Sequence, residues 1–371
     1  MFFNQQSHQA QDRYKSSLKV IGSLSRLFSD AKEPYLYYRV AEKIFCQSFH
    51  AIDLSRSDVA LDAHKDLLGI GLKTFLENNQ KSFQKIAEFN KDKPFYTHQK
   101  PQELIHTIAT LRNQRIAFTQ NLYGLKQSIY HCVVRGKEHF TLHEEKMDYI
   151  DIEHIGEIKV NQSSIKFNDG LHDYSFNLSK STLMKRFITT NALHEFEVKV
   201  LLNPLKNIEE CLATNQFEYG QSSNVIATLY LPLYGKNKKV YERSGLNQWN
   251  AKGRERHINE VYIPIPTIVH QKRANFFPTR DEPFDLKLPN GKILKSKVCQ
   301  AGDKALMSYS NRALGAWILR EVLSLKEGEL LTYEKLQTLG VDAVRIDKLN
   351  DGHYEINFAA LGSFERFIKG E

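Results

Sequence analysis

Long hydrophobic runs are missing from this 371-residue sequence. No stretch approaches the length of a membrane-crossing helix, and the opening residues MFFNQQSHQAQDRYK lack the apolar centre of a secretory signal. The expectation is a cytoplasmic protein that does not engage a membrane. Cysteine is scarce: Cys46, Cys132, Cys211 and Cys299 lie far apart with no C-x-x-C pair. That spacing gives no sign of a zinc ribbon or a disulfide framework. Internal repeats and low-complexity segments are lacking as well. What is there is ordinary for a soluble globular chain, 41% hydrophobic and 25% charged, and long enough for two domains with separate cores.

The formal charge of +8 is unevenly spread. Between Lys236 and Arg320 there are 17 Lys and Arg against 7 Asp and Glu, so the rest of the chain is slightly acidic. A basic block of this kind points to a polyanionic partner. Its centre is GLNQWNAKGRERHINEVYIPIP, from Gly245 to Pro266, a polar Gly-flanked loop running into a strand-like segment. Arg can pair bidentately with guanine, Asn and Gln with adenine, and Lys with phosphates, so such a loop suits the reading of duplex DNA. The alternative is a solvated hairpin tip, since loops are commonly polar.

Periodicity divides the chain. Ser17–Phe28, Tyr37–Phe49 and Leu104–Tyr130 carry apolar residues at helical spacing, with Pro34 separating the first two. Val59–Ala63 and Leu68–Phe75 predict a hairpin, Ser82–Asn90 a helix, and Tyr149–Phe176 antiparallel strands around an Asn-Asp-Gly turn. The segment from Asp173 to Phe187, with its Ser and Lys residues, reads as the start of another helix, either phosphate-contacting or simply capped. After a boundary between Asn203-Pro204 and the Gly220-Gln221-Ser222-Ser223 run, strands dominate, interrupted by a helix over Leu314–Leu323. The expectation is an α+β domain over residues 1–210, a central mixed sheet framed by helices, followed by a mainly-β domain over residues 218–371.

Four segments in one order carry a resemblance: GLNQWNAKGRERHINEVYIPIP, FFPTRDEPFDLKLPNGKILKSKVCQ, GDKALMSYSNRALGAWILR and GELLTYEKL. Together they resemble the C-terminal DNA-recognition domain of type II restriction endonucleases of the NgoFVII and BfiI type. That domain is a seven-stranded pseudobarrel akin to the plant B-three domain and the EcoRII effector domain. The resemblance implies two arms that grip the major groove. One would comprise Asn247, Gln248, Trp249, Asn250, Lys252, Arg254 and Arg256, and the other Lys304, Ser308, Tyr309, Asn311 and Arg312. Of these, Arg254 and Arg256 could read guanine or hold phosphate, and Trp249 suits packing beneath its loop better than stacking on a base. Arg280-Asp281 reads as an internal ion pair shaping the barrel mouth.

A recognition domain of this kind implies an attached nuclease. Relatives commonly use a metal-independent H-x-K-x4-D chemistry, but after His98-Gln99-Lys100 and His270-Gln271-Lys272 the aspartate positions hold Ile105 and Phe277. The segment Ser57-Asp58 … Asp62 … Gly69-Ile70-Gly71-Leu72-Lys73 instead resembles a PD-(D/E)-x-K nuclease, with an acid opening one strand and a lysine on its neighbour. Phosphodiester hydrolysis of this type needs carboxylates to hold Mg²⁺ and a cation to steady charge on the phosphate. The resemblance implies Asp58 (with Asp62 as its alternative) and Glu88 as metal ligands, Lys73 as the cation and Glu42 as an auxiliary acid. Gly71 departs from the pattern, because an acid belongs there; Glu88 is placed as its displaced substitute. Read singly, Asp58 and Lys73 are an ordinary surface ion pair and Glu88 a solvated residue. Implied partners are double-stranded DNA, a second copy of the chain when both strands are cut, and a cognate DNA methyltransferase. The competing reading is a non-catalytic DNA-binding regulator whose first half mediates dimerisation.

Overall fold

The computed structural model describes residues 1–55, 59–214, 225–247 and 257–370. It divides into two compact units, residues 1–116 with 125–221 and residues 117–124 with 222–371.

The first unit opens with α1 (His8–Ser23), whose Ser7 side chain caps Ala10 N–H, and α2 (Tyr38–Phe49). The strands that follow are β1 (Ile52–Asp53), β2 (Ala63–Lys65), β3 (Leu68–Leu76) and β4 (Lys81–Glu88). A short helix α3 (Lys93–Tyr96) leads into α4 (Pro101–Tyr123), and then β5 (Gln127–Gly136) and β6 (His139–Lys146) form a hairpin. The unit closes with β7 (Gly156–Val160), β8 (Ser164–Asn168), β9 (Asp173–Asn177), β10 (Thr182–Ile188), β11 (His194–Glu197) and α5 (Pro204–Thr214). Two mixed-composition layers result. One sheet runs β1-β2-β3-β5-β6-β11 and the other β4-β10-β9-β8-β7. Within the first, β3 and β5 are parallel, as expected of strands joined by a long crossover that contains a helix. Phe2, Phe3, Tyr14, Leu18, Phe45 and Phe49 bury one face of that sheet beneath α1 and α2.

Two expected helices are strands. Ser82–Asn90 falls on β4, and the Asp173–Phe187 segment is the β9–β10 hairpin. In the hairpin the Ser and Lys residues form the turn, where the Asn177 carboxamide oxygen accepts from Ser179 Oγ–H and Lys180 N–H. The predicted strand over Val59–Ala63 is also shorter than expected, since β2 begins only at Ala63.

The second unit holds β12 (Ala227–Pro232), β13 (Ile263–Pro264), α6 (Thr267–Lys272), β14 (Phe284–Lys287), β15 (Ile293–Cys299) and β16 (Ala305–Ser308). Helix α7 (Ala313–Gly315) continues as a π-helical stretch over Ala316–Val322, and α8 (Tyr333–Leu339), β17 (Val341–Asn350), β18 (His353–Ala360) and α9 (Ser363–Lys369) complete the chain. The sheet order is β12-β17-β18-β14-β15-β16-β13, and the end strands β12 and β13 approach each other, so the seven strands form a nearly closed barrel. Closure removes the exposed edges that a flat sheet would carry. Residues 117–124 at the end of α4 belong with this unit, where Phe118 meets Phe358 edge-on at 5.4 Å.

Candidate nuclease centre and nucleic-acid interface

In the first unit, β2 and β3 part company at Asp62. The backbone ladder pairs Ala63 with Ile70, but the Asp62 carboxylate, not a strand carbonyl, accepts from Leu72 N–H at 2.7 Å. The carboxylate is thereby held at a strand fork, one residue before Lys73. Glu42 on α2 is only 4% exposed. Its burial, reinforced by the negative charge of Asp62, raises its carboxyl above the ordinary range, against the opposing pull of Arg39. Arg39 holds Glu42 Oε2 at 3.1 Å and also donates to the Ser55 carbonyl at 2.7 Å, tying α2 to the chain that leads into the fork. Lys73 is half-buried on β3 and makes no ion pair with another described residue. Where an acid would sit at Gly71, a Cβ would lie 2.6 Å from Met147 Cε and 3.2 Å from the Tyr130 ring.

Not every expected residue joins this group. Glu88 is exposed at the end of β4, paired with Lys85 and Asn90, and these partners lower its pKa. It stands on a strand of the second sheet, not on the helix that the displaced-acid expectation requires. Asp58 lies outside the described residues. Among the described residues no three carboxylate, imidazole or thiol groups converge to cage a metal ion. Two carboxylates still suit Mg²⁺, which often takes one or two protein ligands and completes its shell with water and substrate phosphate.

A second polar cluster escaped the sequence reading. Lys185 on β10 is 3% exposed and ion-paired with Glu145 on β6, whose other neighbour is His143 at 3.6 Å. Burial pushes the Glu145 carboxyl up, but His143 and Lys185 outweigh it and leave the pKa lowered. Cross-strand register puts Lys73, Cys132 and His143 in one row of the sheet. The Cys132 thiol is fully buried and its pKa is raised by burial, which keeps it protonated. The only sequence signal was a lysine in an otherwise apolar alternation on each of β3 and β10.

In the second unit most barrel lysines are neutralised. Lys287 pairs with Glu355, Lys292 with Glu321, Lys295 with Asp285, and Lys297 with Asp281 at 2.9 Å. The expected Arg280–Asp281 contact is a looser, exposed one at 3.8 Å. Lys304 and Arg312, by contrast, are exposed and pair with no carboxylate among the described residues. Between them Tyr309 is 58% exposed, and Asn311 adopts a left-handed backbone at φ 58°. Ser308 is buried, and its hydroxyl oxygen accepts from Leu314 N–H at 3.0 Å, so it fixes the start of α7. Of the other arm, Gln248, Trp249, Asn250, Lys252, Arg254 and Arg256 lie outside the described residues. Asn247 is described, and its side chain is spent on backbone: it donates to the Tyr241 and Leu331 carbonyls and accepts from Leu331 N–H at 2.8 Å.

Most of the nearly closed barrel falls in a stretch that a known family matches. Residues 221–350 match the NgoFVII C-terminal B3-like DNA-binding domain. The second unit is therefore similar to a DNA-binding domain associated with restriction enzymes. No curated protein matches the chain. Among the described residues no helix is long and apolar enough to cross a membrane.

Proposed function

We propose that the chain is a type II restriction endonuclease, with the barrel reading a specific sequence in duplex DNA and the first unit hydrolysing the phosphodiester backbone with Mg²⁺. The observation that carries the reading is the family match over residues 221–350, in the same chain as a strand fork with Asp62 and Lys73 and a buried Glu42 on α2 that feels the Asp62 charge. Asp62 stands immediately before β2 and Lys73 lies on the neighbouring β3, close to the placement of acid and lysine that the PD-(D/E)-x-K resemblance implies. Asp62 and Glu42 would hold the Mg²⁺, joined by Asp58. Burial first, and then the negative charge of Asp62, raise the Glu42 carboxyl, and a cation held by the two carboxylates would offset that cost. The bound metal would polarise the scissile phosphate and offset its charge. Lys73, without a carboxylate of its own among the described residues, is available to the charge that develops on phosphate oxygens in the transition state. Arg39 orients Glu42. Glu88, neutralised by Lys85, has the weaker claim to the displaced acid.

Lys304, Tyr309, Asn311 and Arg312 form the described part of the DNA-reading surface, with Ser308 and Asn247 fixing backbone. Cutting both strands calls for a second copy on DNA, and host protection for a cognate methyltransferase. Digestion of unmethylated phage DNA with and without Mg²⁺ tests the reading. Discrete fragments are expected only with the metal, and their loss in Lys73→Ala and Asp62→Asn but not in Glu88→Ala would assign the centre. Binding without cleavage in any divalent metal would leave a DNA-binding regulator.

A further inference from the structure

From the contacts around Asp281 we infer that this aspartate is a specificity-determining residue, accepting from the amino group of a cytosine in the major groove while Lys297 beside it donates to the paired guanine. The inference rests on the DNA-binding reading of the second unit. It adds a further segment, the turn from Thr279 to Glu282, to the surface formed by Lys304, Tyr309, Asn311 and Arg312. That turn is closed from within. Glu282 N–H donates to the Thr279 carbonyl at 3.0 Å, and Thr279 Oγ1–H donates to Glu282 Oε2 at 2.9 Å. Arg280 and Asp281 form its tip, with side chains 56% and 58% exposed, so their pair is not the interior one that the sequence suggested. Asp281 N–H donates to the Val298 carbonyl at 2.9 Å, and Asp281 Oδ1 accepts from Lys297 Nζ at 2.9 Å. Backbone and side chain of Asp281 are thus both fixed to β15.

The Lys297 ammonium also lies over the Tyr309 ring, 5.4 Å from its centroid, and Tyr309 N–H donates to the Lys295 carbonyl at 2.7 Å. One ammonium therefore joins the turn to the arm that carries Tyr309, Asn311 and Arg312. The second oxygen of Asp281 has Arg280 Nε at 3.8 Å, beyond hydrogen-bonding reach, and no hydrogen bond to a described residue. An exposed carboxylate on a face that meets DNA opposes phosphates, so it penalises loose contact and is of use where it finds a donor. Ionised, it can only accept. The donors in the major groove are the amino groups of cytosine and adenine. The adenine amino group lies between two acceptors, its own N7 and the thymine O4, and both would repel a carboxylate. The cytosine amino group has acceptors on one side, guanine O6 and then N7, which suit a cation. A carboxylate held beside an ammonium presents the complementary order.

The test uses the full chain and a pool of random-sequence duplexes, from which wild type selects its preferred sequence. Affinities are then measured for that duplex, for each single base-pair substitution of it, and for a scrambled duplex, with wild type, Asp281→Gly and Asp281→Asn. Asp281 has a left-handed backbone at φ 66°, which both Gly and Asn adopt readily, so neither variant strains the turn. The expected result is one C·G position at which Asp281→Gly loses about tenfold of the wild-type preference, with the other positions unchanged. At that same position Asp281→Asn should turn the preference toward A·T, because a carboxamide pairs with adenine. Scrambled-duplex affinity should rise in both variants, since a negative charge is gone. A substitution profile unchanged in both variants overturns the inference, and so does a preference lost evenly at all positions. A fall in every affinity together with the melting temperature also overturns it, making Asp281 a residue of the fold. Selection of no sequence by wild type would overturn the inference together with the DNA-reading function on which it stands.

Discussion

Replacing Glu42 by Gln separates stability from function at the strand fork. Burial comes first among the causes that lift the Glu42 carboxyl above its ordinary value of 4.5, followed by the charge of Asp62, and Arg39 only partly offsets them. A carboxyl whose pKa is higher folded than unfolded binds its proton more tightly in the native state. Stability therefore falls as pH rises from the unfolded to the folded pKa, and the loss is complete above the folded value. Gln has the shape of the neutral acid and carries none of this cost, while its carboxamide oxygen can still accept from Arg39. One unit of elevation is worth about 1.4 kcal/mol. Allowing for a weaker bond to Arg39, a gain in stability at neutral pH is expected. In a unit of this size each kcal/mol gained raises the melting temperature by roughly 2–4 °C. Thermal melts of wild type and Glu42→Gln across pH should coincide at the acid end and diverge above the carboxylate range, the variant being the more stable. DNA cleavage should be lost in the same variant. A melting temperature lowered at neutral pH, or a difference that does not vary with pH, would refute the reasoning and make Glu42 a structural ion-pair partner of Arg39.

Three further outcomes are expected. Lys185→Met leaves Glu145 half of a buried pair, which costs about 3 kcal/mol and lowers the melting temperature by roughly 6–12 °C; a double Lys185→Met, Glu145→Leu variant should recover much of it. Tyr14→Phe breaks the buried chain from Tyr14 OH through His131 to Glu144, which also accepts Phe3 N–H, and should cost about 1–2 kcal/mol in chemical denaturation without altering DNA binding. Alkylation of the native protein should label exposed Cys211 first and spare Cys46 and Cys132, which are buried and whose thiols are raised in pKa, that of Cys46 to about 12; mass spectrometry after limited iodoacetamide treatment reads the order.

The barrel was implied by the four-segment resemblance, and the mainly-β character of the second half was legible in its strand-like segments. Leu288-Pro289-Asn290-Gly291, whose Pro-Asn-Gly chemistry suits a tight turn, connects β14 to β15. The first unit was harder for identifiable reasons. In β4 the apolar residues Phe83, Ile86 and Ala87 mimic helical spacing because a register shift opposite Leu183 and Met184 inserts an extra residue at Ile86 and resets the alternation. The end of α4 gives no sign in its period that Phe118 belongs to the barrel's core. At the fork, sequence could not choose between Asp58 and Asp62, as both are acids near a strand. The Asp62 contact to Leu72 N–H follows from how β2 and β3 diverge, which the residue pattern does not encode. Asn247, expected to face DNA, instead anchors Leu331, a residue 84 positions away.

The most direct test of a reading barrel joined to a cutting unit is to sequence, from one pool of unmethylated duplexes, both the molecules that the chain retains without metal and the ends it generates with Mg²⁺. The account predicts that a single sequence is enriched in the retained fraction and that the ends cluster at a fixed distance from it. Enrichment with no ends, or ends scattered without regard to the enriched sequence, would contradict it.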